Sequence, residues 1–287
     1  MTESIPHLWR VKDFPPCAAM KAFLVSPGAK VDLDKWDPDD TSAYPGLTKE
    51  DGAVMLEAAR MKLRDLQARL IAQRKHKVLI LFQAMDAGGK DGAVRNVFQG
   101  LDPHGMSVVS FKAPTPSELE RDFLWRVHAR VPGRGEITIW NRSHYEDVVA
   151  VRVRKLAPRE VWEKRFDHIV AFERLLADEG TLVLKFFLHI DATEQKSRLE
   201  SRLKDPSKQW KLQRSDLDDR ANWNEFVKAY EEALGRTSTP HAPWYVIPAN
   251  KKWFRNVAVA GIVRDALERL KPEFPSLPAD VAGVVGL

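Results

Sequence analysis

One short run of residues constrains this chain more than any other. From Lys77 to Asn96 it reads KVLILFQAMDAGGKDGAVRN, an apolar stretch that passes through two adjacent glycines into a polar segment. An apolar run without polar alternation suits a strand buried on both faces, as in a parallel sheet covered by helices. A buried strand, a glycine turn and a helix in succession form a cradle for phosphate, because backbone N–H groups converge at the helix N-terminus. The spacing is that of G-x-x-x-x-G-K-[ST] with two departures: Ala84 stands for the first glycine and Asp91 for the hydroxyl residue. Gly88 and Gly89 let the backbone close around a phosphate, and Lys90 supplies a point charge. The lost hydroxyl normally ligates Mg²⁺, and Asp86 offers a carboxylate in its place. Ala87, Gly88, Gly89, Asp91, Gly92 and Arg95 are the accompanying candidates for phosphate and nucleotide binding. A Gly-Gly turn also joins strands to helices where nothing binds, so the context on both sides carries the inference.

That context is consistent. Val78–Phe82 is followed by further apolar runs at Val108–Phe111, Ile137–Trp140, Leu182–Ile190 and Trp244–Ile247. Helical spacing fills the intervals. Leu56, Ala59, Leu63, Leu66 and Leu70 form a stripe between Lys49 and Arg74, and Trp162, Phe166, Ile169, Phe172 and Leu176 form another within Glu160–Asp178. Val94–Gln99, Ser117–His128 (opening on a Ser117/Glu120 capping-box pattern), Glu194–Leu203, Leu217–Leu234 and Trp253–Leu270 are the other expected helices. Strands alternating with helices predict an α/β three-layer sandwich with a central parallel sheet of about five strands. Residues 1–48, rich in proline and with an acidic stretch from Asp32 to Asp40, read as an irregular arm. Residues 49–271 read as the main domain, and 272–287 as a flexible tail.

Two further segments carry chemistry. In EITIWNRSHYED, Glu136 to Asp147, an apolar strand ends at Asn141-Arg142-Ser143. Ligands sit at the carboxyl ends of strands in open α/β sheets, so Arg142 is placed to clamp a phosphoryl group. A structural ion pair with Glu146 or Asp147 is the competing role. Between Glu194 and Arg214, seven basic residues face three acidic ones. Such a run is commonly a solvated helix face; here it also fits a lid over phosphates. Arg152, Arg154, Lys155 and Arg159 make a second basic patch, and together the two imply a long polyanion.

Composition excludes several classes. Lys and Arg number 45 against 40 Asp and Glu, a net charge of +5 that fits an anionic partner without requiring nucleic acid. The single cysteine, Cys17, rules out a disulfide framework and a cysteine-based zinc site. The eight histidines show no paired metal-ligand spacing. The amino terminus is too polar for a signal peptide, and no apolar run is long enough to span a bilayer, so a cytoplasmic location without membrane contact is expected.

With these residues assembled, the chain resembles the polyphosphate kinase 2 family. The matching blocks are MDAGGKDG, FKAPTPSELERDFLWRVH, IWNRSHYEDV, FERLLADEGTLVLKFFLHI, DPSKQWKL with DLDDR, and TSTPHAPWYVIPANKKWFRN, and the resemblance covers roughly Asp32 to Lys271. The form NRSHYED resembles the class III subgroup, whose members phosphorylate both AMP and ADP. The resemblance implies a P-loop kinase-like fold with a helical lid at about residues 200–222. It implies transfer of the terminal phosphoryl of inorganic polyphosphate to AMP and ADP, with Mg²⁺ as the metal and Mn²⁺ as a substitute. Asp86 would hold the metal, Lys90 the phosphates in transfer, and Arg142 the transferred group. Arg202, Lys208, Lys211 and Arg220 would form the lid and the polyphosphate channel, and Glu146 would help to accept AMP. Asn141 stands where other subgroups carry Asp, which places more of the metal's weight on Asp86. Family members self-associate, so a dimer or tetramer is expected, through the Lys49–Arg74 or the Trp253–Leu270 helix. The rival readings are an ATP-dependent nucleotide kinase on the same fold and a basic nucleic-acid-binding module.

Overall fold

The computed structural model describes residues 18–277; Cys17, the start of the arm and residues 278–287 of the tail lie outside the described part. Five strands form one parallel sheet in the order β2-β3-β1-β4-β5: β1 is Lys77–Ala84, β2 Met106–Ser110, β3 Ile137–Asn141, β4 Thr181–His189 and β5 Trp244–Pro248. All five expected strands are present and parallel. β1, the strand that leads into the glycine turn, lies at the centre between β3 and β4. The strand order reverses beside it, and such a switch point opens a crevice at the carboxyl ends of the strands.

Four strands are buried as an unalternating apolar run predicts. β2 is not: it is the sheet edge, and Val108 is 49% exposed. An edge strand lacks one neighbour, so its apolar residues reflect β propensity rather than burial.

Helices cover both faces. α1 (Ala18–Ala22), α2 (Lys49–Gln73) and α3 (Lys90–Val97) lie in chain order before β2, and α12 (Lys252–Arg269) closes the chain. The stripe Leu56, Ala59, Leu63, Leu66 and Leu70 of α2 packs with α12 over Ile80, Phe82, Phe186 and Ile247. Gly52 allows this close approach, because a Cβ there would collide with the Trp253 ring. α12 is buried along most of its length, so of the two helices proposed for self-association only α2, with Val54 and Met61 exposed, presents an outer face. The helices between β2 and α12 are α4 (Pro116–Leu119), α5 (Trp125–His128), α6 (Ala150–Val153), α7 (Arg159–Asp178) and, after β4, α8 (Ala192–Lys204), α9 (Pro206–Gln209), α10 (Arg214–Ala221) and α11 (Trp223–Thr237), of which α5, α6, α7 and α11 contribute to the core on the other face. Of these, α7 and α11 pack over Leu81, Trp140, Phe187 and Trp244.

Two helix expectations change. Ser117–His128 is two single turns, and the capping box is Thr115 with Glu118 rather than Ser117 with Glu120. Asp122 accepts bonds from the amides of Leu124 and Trp125, which ends one turn and starts the next. Leu217–Leu234 is split at Asn222, whose side chain bonds back to the Asp218 carbonyl.

The described part of the arm lies on the body. Leu24 bridges Tyr245 antiparallel to β5, and Phe23, Val25 and Leu33 are buried.

Beneath the crevice a buried polar cluster joins the layers. Lys185 on β4 donates to Glu173 on α7 at 2.6 Å and to the Tyr145 hydroxyl at 2.9 Å, and Tyr145 donates to Glu173 at 2.9 Å. Removing one partner would strand a charge in the core, at a cost of about 3–5 kcal/mol. Glu173→Ala is therefore predicted to lower the stability measured by urea unfolding by about that amount, without changing the steepness of the transition.

Candidate active site

The loop between β1 and α3 carries most of the chemistry. Ala87 has φ 61° and Gly89 φ 96°, left-handed conformations that coil the chain through Gly88. A Cβ on Gly88 would collide with the Ala84 side chain and the Met85 carbonyl, so that glycine is required. The amides of Gly89, Lys90, Asp91 and Gly92 meet no acceptor among the described residues. They are the orphan donors of a helix start and face the crevice as an anion cradle.

Three sequence-predicted residues converge here. Lys90 Nζ rests on the Ala84 carbonyl at 3.0 Å, and burial, with Arg142 nearby, lowers its pKa to about 8. Arg142, at the end of β3, has φ 61° and donates to Asp86 at 2.9 Å, with Glu146 at 3.6 Å on its other side. Glu146 and Asp86 hold the guanidinium firmly charged. Burial pushes the Asp86 carboxyl up, but Lys90 and Arg142 outweigh it and hold it below the usual carboxylate range. Arg142 thus has both the structural pairing with Glu146 and a place in the site.

Asp91, the departure at the hydroxyl position of the loop, meets Asn141, which stands where other subgroups carry Asp. Asn141 donates from its amide to Asp91 at 2.5 Å, joining the end of β3 to the first turn of α3. Neither residue is then free to act as the usual hydroxyl–carboxylate pair around a metal.

Sequence reasoning missed the second carboxylate. Asp219 on α10 lines the same cavity as Asp86, and Arg154 grips it through Nε at 3.0 Å and Nη2 at 2.5 Å. Burial and the neighbouring Asp86 raise the Asp219 pKa to about 6. Asp219 and Arg154 looked like parts of charged surface runs, and their separation of 65 positions gives no local signal. The same cavity is lined by Gln195, which donates to the Asp86 carbonyl at 3.1 Å, and by Tyr230, which donates to the Ala84 carbonyl at 3.2 Å.

Asp86 and Asp219 together suit Mg²⁺, which takes one or two carboxylates and fills its octahedron with water and substrate phosphate. Among the described residues no group of three or more His, Cys, Asp or Glu could hold a metal by itself.

The basic residues of 200–222 divide. Lys211 lies 3.7 Å from Asp91 and over the ring of Trp210, which is 75% exposed. Lys208 pairs with Asp205, and Arg202 is half-buried near Asp216. Arg220 turns inward and donates to the Ala192 carbonyl at 2.9 Å and Gln195 Oε1 at 3.0 Å, which fastens α10 to α8 and steadies a neighbour of Asp86. Arg95 is exposed on α3, away from the cavity residues.

A phosphate loop at the end of the central strand of a five-stranded parallel sheet, with an arginine from the adjacent strand facing it, defines a P-loop kinase-like protein. The profile of the polyphosphate kinase 2 (PPK2) family matches residues 46–275. The chain is 53% identical over 256 residues to the AMP/ADP-polyphosphate phosphotransferase of Meiothermus ruber, covering 89% of this chain and 96% of that one. It is 40% identical over 267 residues to the ADP-polyphosphate phosphotransferase of Rhodopseudomonas palustris, covering 89% and 92%. The crystal structure of polyphosphate kinase 2 from Arthrobacter aurescens superposes with a TM-score of 0.88 at 40% identity, over 94% of this chain and 97% of that one. The chain belongs to the polyphosphate kinase 2 family.

Free-enzyme kcat/KM for the phosphate donor is predicted to follow a bell. It falls on the acid side near pH 6 as Asp219 gains a proton, and on the alkaline side near pH 8 as Lys90 loses one. Lys90→Arg keeps the charge and should remove the alkaline limb while leaving the acid one, as read from initial rates between pH 5 and 10.

Proposed function

We propose that this chain is a Mg²⁺-dependent polyphosphate kinase that transfers the terminal phosphoryl group of inorganic polyphosphate to AMP and to ADP, giving ADP and ATP reversibly. The observation that carries it is the convergence of Lys90, Arg142, Asp86 and Asp219 beside a cradle of backbone donors. The likeness to a relative named for both AMP and ADP supports the choice of acceptors.

Phosphoryl transfer needs positioning and neutralised charge more than covalent help. The loop amides would hold the phosphate being transferred, and Lys90 would leave the Ala84 carbonyl for its oxygens. Arg142 would face the equatorial oxygens while Asp86 keeps it in place. Asp86 and Asp219 would hold Mg²⁺ (or Mn²⁺), which when bound would supply positive charge to offset that of the phosphates. An oxygen of the acceptor phosphate then attacks the terminal phosphorus in line; the P–O bond to the rest of the donor breaks, and the chain shortened by one phosphate leaves with the electron pair, with no phosphoenzyme. Residues 200–222 serve as the lid, with Lys208, Lys211 and Arg202 along the polyanion, and residues 49–271 form the catalytic domain. Glu146 borders the cavity beside Arg142, a place from which it distinguishes a monophosphate from a diphosphate. The protein would act in the cytoplasm as a homo-oligomer; among the described residues no helix is long and apolar enough to cross a membrane.

The test is purified protein with Mg²⁺ and long-chain polyphosphate, AMP and ADP supplied separately, and products resolved by chromatography. AMP should give ADP and then ATP. Phosphorylation of an added nucleotide by ATP, with none by polyphosphate, would overturn the assignment. Lys90→Ala and Asp86→Asn should each lower the rate by at least about 100-fold, the scale of electrostatic catalytic groups. Glu146→Ala should lower kcat/KM for AMP relative to ADP by about tenfold or more.

A further inference from the structure

Two arginines grip the phosphate loop from behind, and neither is in the cavity that faces substrate. Arg198 on α8 is 7% exposed and Arg255 on α12 is 2% exposed. Arg198 donates through Nη1 to the Ala87 carbonyl at 3.0 Å, through Nη2 to the Ala249 carbonyl at 2.5 Å, and through Nε to Glu194 at 2.6 Å. Arg255 donates through Nη1 to the Gly89 carbonyl at 3.1 Å and through Nε and Nη2 to Asn256 Oδ1. Both guanidiniums lie against the Cα of Gly89, where a Cβ would run into Arg255 and come within 3.3 Å of Arg198 Nη1.

This arrangement has a geometric and an electrostatic consequence. A trans peptide points its C=O and the following N–H in opposite directions. The Gly89 carbonyl is held toward the protein interior by Arg255 and by the Ala93 amide at 2.9 Å, so the Lys90 N–H faces the mouth of the loop. The charge of Arg255 is also unusual. Arg198 has Glu194, whereas Arg255 has no carboxylate partner among the described residues. A buried, unpaired cation is costly, and its neighbours here are another arginine and dipoles. Burial and Arg198 lower its pKa, to about 10. On the far side of one peptide plane are the cradle amides, which meet no acceptor among the described residues.

We propose that Arg255, backed by Arg198, is a positioning residue of the phosphate loop whose buried charge is balanced by the phosphate chain of the donor. The proposal rests on phosphate donor binding in this loop and deepens that reading. Arg255 touches loop carbonyls and no reacting atom. It sets the direction of the cradle amides and adds a positive potential behind them that water does not screen.

The test compares wild type with Arg255→Met and Arg255→Lys. Thermal unfolding is followed without ligand, with polyphosphate and Mg²⁺, with ATP and Mg²⁺, and with AMP alone; kcat and KM for the donor are measured in parallel. Arg255→Met removes an unpaired buried charge at similar volume, so its ligand-free melting temperature should stay near or above that of wild type. Its stabilisation by the donor should be lost, and kcat/KM for the donor should fall roughly 10- to 100-fold, the range for residues that orient a binding group. The response to AMP should be unchanged. Arg255→Lys restores the charge without the fork and should recover part of the donor response.

A Met variant that binds and turns over donor like wild type overturns the proposal. So does one that loses ligand-free stability and AMP response together, with Arg255→Lys no better, since that marks a strut alone. If wild type responds to ATP and not to polyphosphate, the donor assignment fails and the Arg255 proposal is decided on the ATP arm.

Discussion

The ion pair between Asp86 and Arg142 joins the two loops that make the site, and the positions of the other groups depend on it. The loops leave neighbouring parallel strands, β1 and β3, at the same edge of the sheet. Arg142 adopts a left-handed backbone, which costs a non-glycine residue roughly 1 kcal/mol or more. That conformation is sustained from below. Immediately after Arg142 the side chains of His144 and Tyr145 are fully buried, and Tyr145 is tied to Glu173, Lys185 and Thr237. The core polar cluster thus fixes the loop whose other residues, Arg142 and Glu146, face the crevice. With Arg142 fixed, Asp86 is held ionised between two cations, and Asp219 comes to it from the lid.

The carboxylates illustrate how one environment separates two similar groups. Asp86 lies between Lys90 and Arg142 and is held below its ordinary pKa, whereas Asp219, beside Asp86 and only partly offset by Arg154, is raised. One remains charged over the physiological range while the other titrates near it, an assignment set by surroundings rather than residue type. The Asn141–Asp91 contact belongs to the same logic. In the common form of the loop a hydroxyl and an aspartate meet across a metal; here an amide and an aspartate meet directly.

Features encoded locally were legible in the sequence. The five strands, the helical stripes of α2 and α7, and the glycine turn leading into Lys90 all follow from periodicity and turn chemistry within a few residues. β2 read as buried because apolar composition does not reveal that a strand lies at the edge. The region 116–128 read as one helix because Asp122, which interrupts it, acts through a side-chain bond that propensity ignores. Arg142, Asp86 and Lys90 were found because each sits at a motif position. Asp219, Arg154, Arg198 and Arg255 were not, because each reaches the loop from a distant element, and only the fold shows which charge of a run turns inward. Arg220 shows the converse: it belongs to the basic run expected to meet polyanion, yet its guanidinium fastens α10 to α8.

The central claim is direct transfer from polyphosphate to a nucleotide at the Asp86–Lys90–Arg142 site. Its most direct test is a rapid-quench single turnover with radiolabelled polyphosphate, Mg²⁺ and AMP, with enzyme in excess and quenches in both acid and alkali. The account predicts that label appears in ADP at the rate at which it leaves polyphosphate, with none on the protein at any time. Label passing through a protein-bound intermediate, or remaining in polyphosphate while ATP serves as donor, would contradict it.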